Sequence, residues 1–224
     1  MDNEWLDRER QRRRADAIRL RNELGWSNKC VFLFAGRLVS QKGVDVLVDA
    51  MNELCANREE AALAIVGTGP LEESLRKRLA PDTSRHVRFL GKSSYSEMPL
   101  YYALADVFVL PSRHEPWGLV VNEAMQCGLP VIATACCGSA HDLLPHGRTG
   151  IKIEPASAAA LVDAMRWMVD HPEERRAMGK SAREWVSAWS FDRTIRGFRA
   201  AIDDAVGAAS ESASEGPPSA CRAA

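Results

Sequence analysis

Apolar residues in this chain fall in short continuous runs, separated by stretches with helical spacing. CVFLFA (30–35), ALAIVG (62–67), HVRFLG (86–91), VFVL (107–110), PVIATA (130–135) and GIKIE (150–154) have the length and bounds of strands buried on both faces. Between the first two, Val44, Leu47, Val48, Met51 and Leu54 share one helical face. Further helices are expected from Leu71 to Leu79, around Glu97–Ala105, over LVVNEAMQC (119–127) despite its two valines, and near His141–Leu144. From Ala156 the pattern is wholly helical. One helix runs to Asp170, one opens at Pro172, which suits a first turn, and a third runs from Phe191 to about Val206. Strands alternating with helices predict an α/β fold, a Rossmann-like parallel sheet with helices on both faces. The expected organisation is a polar, Arg-rich helical linker segment at 1–29, a ligand-binding domain at 30–206, and a disordered Ser/Ala/Gly/Pro-rich tail at 207–224.

Composition narrows the class. The chain has 224 residues, a net charge of −1, 46% hydrophobic and 26% charged residues. That is ordinary for a folded domain with a substantial core, and it gives no overall bias toward nucleic acid, so no nucleic-acid partner is expected. The cluster Arg8, Arg10, Arg12, Arg13 and Arg14 reads either as a solvated helical face or as a surface for a membrane or partner. The six cysteines form no CxxC and no zinc-ligand spacing, and most sit in apolar runs, which suits reduced thiols in a cytoplasmic protein. The N-terminus lacks an apolar signal core, and no run reaches the 18 or so apolar residues of a membrane span.

In a parallel sheet, ligands bind outside the carboxyl ends of the strands, so the loops there carry the candidate chemistry. The first is GRLVSQKG (36–43). Gly36 and Gly43 permit tight backbone geometry, and Arg37 and Lys42 place two cations after a buried strand. Paired cations suit a diphosphate; they are equally at home as solvated charges on a turn. The second loop, GTGP, has Gly67 and Gly69 between strand and helix, where glycine lets a ligand approach the amides but also serves turn geometry. Neither a GxGxxG fingerprint nor a GxxxxGK[ST] phosphate loop is present. The fourth loop and its helix, PSRHEPWGLVVNEAMQCGLPVIAT (111–134), carry the strongest signal. Gly118, Leu119 and Val120 would form a first helical turn whose free amides favour an anion. Glu123 would sit about one turn in, where a carboxylate can accept both hydroxyls of a ribose, while Glu115 near the loop tip can meet a sugar. Two ordinary surface glutamates would give the same letters.

GRLVSQKG, the GTGP turn, FLG at 89–91 and EPWGLVVNEAMQCGLPVI together resemble the retaining, nucleotide-sugar-dependent glycosyltransferases of the GT-B fold, the group 1 glycosyl transferases. The resemblance runs from about Asp2 to about Ile202 and corresponds to the C-terminal, donor-binding domain. It implies that Arg37 and Lys42 hold the donor diphosphate and stabilise the leaving group. Glu115 would contact the transferred sugar, the amides at Gly118, Leu119 and Val120 the sugar and phosphate, and Glu123 the ribose. Gly36, Gly67 and Gly69 would line the donor, and the base would lie near Gly91, Lys92 and Ser93. Preorganised cations and amides would stabilise charge on the departing diphosphate, with no metal ligands and no cofactor beyond the donor itself.

Two departures stand out. Where family members often read GGxxE after PVIAT, this chain reads CCGSAHD: Gly138 fits, Ser139 replaces a glycine, and Asp142 stands where glutamate is usual. The family also has an N-terminal acceptor domain, while here the first strand begins at Cys30. The opening MDN resembles an interdomain segment that often reads VDN, so Met1 is expected to be an internal position. A lone half should bind donor and transfer weakly or not at all, and any membrane association would reside in the missing half. The acceptor, whether glycan, lipid or small molecule, is left open. Two rival readings are a GT-B sugar-nucleotide epimerase recruiting His114, and a non-catalytic nucleotide-sugar-binding subunit of a split transferase.

Overall fold

The computed structural model describes residues 2–56 and 58–214. They form two compact units, Asp2–Ser187 and a C-terminal unit that begins at Ala188. The first opens with α1 (Asn3–Arg12) and α2 (Arg14–Glu23). Strand β1 (Cys30–Ala35) leads through a 3-10 turn at Ser40–Lys42 into α3 (Val44–Cys55), then β2 (Ala61–Val66), α4 (Glu72–Arg78) and α5 (Pro81–Ser84). Next come β3 (Val87–Gly91), α6 (Met98–Leu104), β4 (Val107–Leu110), α7 (Leu119–Gln126) and β5 (Val131–Thr134). The unit closes with α8 (Gly138–Leu143), β6 (Gly150–Ile153), α9 (Ala158–Asp170) and α10 (Pro172–Ser187).

The six strands are all parallel, in the order β3-β2-β1-β4-β5-β6. Every residue of β1, β2, β4 and β5 is buried, which is why these strands read as unbroken apolar runs rather than alternating ones. Helices α3, α4, α5 and α9 pack together on one face; α1, α2, α6, α7, α8 and α10 pack on the other. The chain order reverses beside β1, whose neighbours are β2 and β4, and this is where such a sheet opens a crevice at its carboxyl ends. Four of the cysteines, Cys30, Cys55, Cys127 and Cys137, are buried and free, and Cys136 is exposed. Burial pushes the Cys30 thiol up to about 12 and that of Cys55 up to about 11, as expected of cysteines acting as small hydrophobes.

The segment expected as a linker at 1–29 is instead part of the packed unit. Leu6, Ala17 and Trp26 are almost completely buried, and α1 and α2 lie against α6 and α7. Charge fixes them in place. The Arg21 guanidinium reaches Asp106 at 3.0 Å, the carbonyl of Lys29 at 2.6 Å and that of Leu104 at 3.2 Å, while Asp106 also accepts the Val31 N–H at 2.8 Å. Asp7 accepts from Gln126 at 3.1 Å and pairs with Arg183 at 2.7 Å. Of the Arg-rich cluster, Arg12 pairs with Glu9 and Arg13 with Asp16. Three apolar anchors spread through a charged stretch give almost no periodic signal.

The boundary of the main unit also differs from the expected 30–206, since it closes at Ser187. The second unit contains α11 (Phe191–Ser214), with Phe191, Ile195, Phe198, Ile202 and Val206 recurring at helical spacing. Residues 207–214, expected to be disordered, continue this helix, and 215–224 lie outside the described residues. Among the described residues, no helix is long and apolar enough to cross a membrane.

Candidate functional site

At the carboxyl ends of β1, β2 and β3, a cavity of about 320 Å³ opens between the strand-end loops and α7. It is lined by Ala35, Gly36 and Arg37 after β1, Val66, Gly67 and Thr68 after β2, Lys92 and Ser93 after β3, Met98 at the start of α6, and Val120 and Glu123 on α7. The volume is within the range of small-molecule sites.

Backbone hydrogen bonds lock the first three loops together. The Gly36 N–H donates to Val66 O at 2.9 Å, Leu38 N–H to Thr68 O at 3.0 Å, and Gly67 N–H to Gly91 O at 2.7 Å. Gly67 has φ +132°, and a Cβ there would lie 1.9 Å from the Gly36 carbonyl oxygen. The GTGP glycines are therefore required first by contact between loops. Gly69 is in the same position: its Cβ would meet Leu38 O at 2.4 Å, and it does not line the cavity.

A second set of contacts joins the loop after β4 to the loop after β1. The Arg113 guanidinium grips Asp45 through two hydrogen bonds of 2.7 and 2.6 Å and the Ser40 carbonyl at 2.7 Å. Its own N–H donates to Gln41 O at 2.8 Å. The Arg113 hydrogen bonds hold the Asp45 carboxyl below the usual carboxylate range. This clamp brings Lys42, at the end of the 3-10 turn, into an ion pair with Glu115. Glu115 is 9% exposed, and its carbonyl accepts the Gly138 N–H at 3.0 Å, tying the loop to the start of α8. Gly138 is needed there, because a Cβ would meet Pro116 O at 2.1 Å. Ser139, the unusual neighbour, is fully buried, with its hydroxyl beside the Cys137 thiol at 3.4 Å; Asp142 is exposed.

Helix α7 begins at Leu119 with Gly118 as its left-handed N-cap at φ +88°. Leu119 is 63% exposed. The Trp117 indole N–H donates to Asn122 at 3.0 Å and braces the turn. Glu123, four residues into the helix, has Oε2 held by the Tyr102 hydroxyl at 2.6 Å. Burial raises the Glu123 carboxyl above its usual value, and the Tyr102 hydrogen bond opposes that rise.

Of the residues singled out in the sequence, Gly36, Arg37, Gly67, Lys92, Val120 and Glu123 share one cavity lining. Arg37 and Lys92 are exposed there and make no ion pair with a described residue. Lys42 and Glu115 face each other, outside the lining. Gly91, at φ +74°, and Gly118 shape the surrounding turns, and Gly69 and Leu119 also lie outside the lining. His114 is exposed beside Glu115. Sequence reasoning missed Tyr102, Asp45 and Arg113. The signal for Tyr102 was a tyrosine on an apolar helix face, whose hydroxyl must find a partner when buried.

The comparisons agree with this architecture. The family model described as Glycosyl transferases group 1 matches residues 16–185. Over 186 residues the chain is 38% identical to the GDP-mannose-dependent monoacylated alpha-(1-6)-phosphatidylinositol monomannoside mannosyltransferase of Corynebacterium glutamicum, covering 79% of this chain and 48% of that protein. Among solved structures, HepE of Anabaena in complex with UDP superposes with a TM-score of 0.72 at 25% identity, over 86% of this chain and 53% of that one. Sucrose-phosphate synthase of Thermosynechococcus elongatus superposes with a TM-score of 0.71 at 31% identity, over 87% and 49%. The chain spans about half the length of the curated relatives it matches. Family match, identity and strand order converge: the chain belongs to the group 1 glycosyl transferases, and its main unit has the Rossmann-like architecture of a GT-B domain.

Proposed function

We propose that this chain is the donor-binding half of a retaining glycosyltransferase, which holds a nucleoside diphosphate sugar in the cavity beside β1 and acts together with an acceptor-binding half. The observation that carries the reading is the meeting of Arg37 and Glu123 in one cavity at the reversal point of the sheet, with the Lys42–Glu115 pair on the adjoining loops. A cation and a carboxylate in one small cavity suit a ligand that carries both phosphates and a vicinal diol. Arg37 takes diphosphate oxygens as a planar fork, and Glu123 accepts from the ribose hydroxyls. The base lies over the turn at Gly91, Lys92 and Ser93.

Lys42 has three N–H donors, so it can keep Glu115 and still meet a phosphate oxygen. Glu115 accepts from a hydroxyl of the transferred sugar, and the amides of Gly118, Leu119 and Val120 add positive partial charge at the start of α7. As the glycosidic bond breaks, negative charge builds on the departing diphosphate, where Arg37, Lys42 and these amides are already placed. The departing phosphate takes the acceptor proton on the same face, which gives retention. The acceptor is set by the other half.

The relative from Corynebacterium uses GDP-mannose and HepE binds UDP, so both bases belong in the test. Calorimetric titration of the chain with UDP, GDP and ADP should find one preferred nucleotide. Arg37→Ala and Glu123→Ala should each weaken it about tenfold or more, the value of a hydrogen bond to a charged group. Unchanged affinity in both variants would place the nucleotide elsewhere and end this reading.

A further inference from the structure

We propose that Tyr102 is the positioning residue for ribose recognition: its buried hydroxyl fixes one oxygen of Glu123 and leaves the rest of the carboxylate to accept a diol. This rests on reading the cavity as a nucleotide site.

Tyr102 is 0% exposed, and its ring packs against Phe108 with centroids 6.3 Å apart, so the phenol has a fixed origin. Its hydroxyl reaches Glu123 Oε2 at 2.6 Å, a short bond of the charge-assisted kind. Glu123 lines the cavity and makes no ion pair with a described residue. Without a fixed partner, a glutamate on the first turns of a helix samples several rotamers, and ordering one of them costs binding free energy. With Oε2 held, Oε1 and the second lone pair of Oε2 form a preset acceptor edge, the complement of two adjacent hydroxyls.

The same contact governs protonation. Burial favours the neutral acid at Glu123, and the Tyr102 hydrogen bond favours the carboxylate. The phenol itself is raised well above its usual value by burial and by the Glu123 charge, so it stays a donor across the physiological range. Other titratable groups facing this part of the site are Arg37 and Lys92 across the cavity, and Tyr95 and Cys127 near the carboxylate. Tyr95 and Cys127 are both raised, which leaves them neutral at pH 7.

The test is calorimetry on the full chain with the preferred nucleoside diphosphate and its 2′-deoxy and 3′-deoxy counterparts, for the parent, Tyr102→Phe, Tyr102→Met and Glu123→Ala. Phe keeps the ring and Met changes the shape, but both lack the hydroxyl. Both should bind the ribonucleotide about tenfold less tightly, with a smaller penalty for losing a ribose hydroxyl. Their binding should also fail at higher pH on acidification than the parent's, since Glu123 then protonates more readily. If Glu123→Ala weakens binding while both Tyr102 variants keep the parent's hydroxyl penalty and pH profile, Tyr102 only packs and the inference is overturned. If the parent shows no hydroxyl penalty and Glu123→Ala changes nothing, the donor-site reading falls, and this inference with it.

Discussion

The two ends of the sheet differ in what their cations without an ion partner face: backbone carbonyls at the amino end, an open cavity at the carboxyl end. At the amino end, Asp106 takes Arg21 and the Val31 N–H, Arg58 pairs with Asp170, and Lys29 and Arg175 donate to the backbone carbonyls of Glu59 and Met168. At the carboxyl end, Arg113 with Asp45 and Lys42 with Glu115 tie neighbouring loops together, and Arg37 and Lys92 stand on the cavity wall without an ion partner among the described residues. Matched charges at one end anchor α2 to the sheet. Arg37 and Lys92 at the other are available to a ligand. Residue type alone does not separate these roles, since both ends contain arginines next to strands.

Changes at each end should therefore have different signatures. The largest effect is expected where loop packing and ligand site coincide. Gly67→Ala would drive a Cβ to 1.9 Å from Gly36 O at a φ of +132°, parting the two loops that carry Arg37 and Thr68. A loss of about 3 kcal/mol in denaturant unfolding, together with loss of nucleotide binding, is the expected outcome. Asp106→Ala comes next. It leaves a mostly buried Arg21 without its partner and the Val31 N–H without its acceptor, so stability should fall by about 2–3 kcal/mol while the folded fraction keeps its nucleotide affinity. Arg37→Ala is the converse: affinity should fall about tenfold, while stability changes by no more than about 0.5 kcal/mol, as for a surface residue. A large stability change there would mean that Arg37 has a structural partner, and the contrast between the ends would blur.

The smallest effects are in pH dependence, and they have opposite signs. The Asp45 carboxyl is lowered by the Arg113 hydrogen bonds, so its contribution is present above the unfolded carboxylate value of about 4 and is lost as pH falls through the folded value. Glu123 is raised by burial, so its ionised form costs stability at neutral pH; that cost begins to shrink as pH falls to its folded value and is gone below the unfolded carboxylate value of about 4. Thermal melts against pH should show Arg113→Ala weakening the acid-side loss and Glu123→Gln raising the melting temperature slightly near neutrality. Equal pH profiles for parent and variants would contradict both assignments.

Much of this fold is legible in the sequence because strands buried on both faces read as unbroken apolar runs. VFVL and CVFLFA are bounded at the same residues in sequence and structure. Gly36, Arg37, Val120 and Glu123 follow from strand-end loops and one long motif, and Lys92 from the family resemblance. What escaped depends on tertiary contact. Leu6, Ala17 and Trp26 are too sparse to show that α1 and α2 belong to the main unit. The α8 helix opens at Gly138, ahead of the expected His141, because the Gly138 and Ser139 amides are held by Glu115 and Trp117 carbonyls from another loop. Arg113 and Asp45 lie 68 residues apart, and only the β1–β4 pairing brings them together. The GTGP sequence admits both ligand approach and turn geometry; Gly67 and Gly69 each approach the backbone of the first loop, and Gly67 also lines the cavity.

The central claim is that the cavity beside β1 receives a nucleoside diphosphate, and a crystal of the chain soaked with its preferred nucleotide tests that most directly. The account predicts the ribose hydroxyls on Glu123, the diphosphate reaching Arg37 and Lys42, and the base over Gly91–Ser93. Well-ordered nucleotide elsewhere on the main unit, with Arg37 and Glu123 untouched, would contradict it.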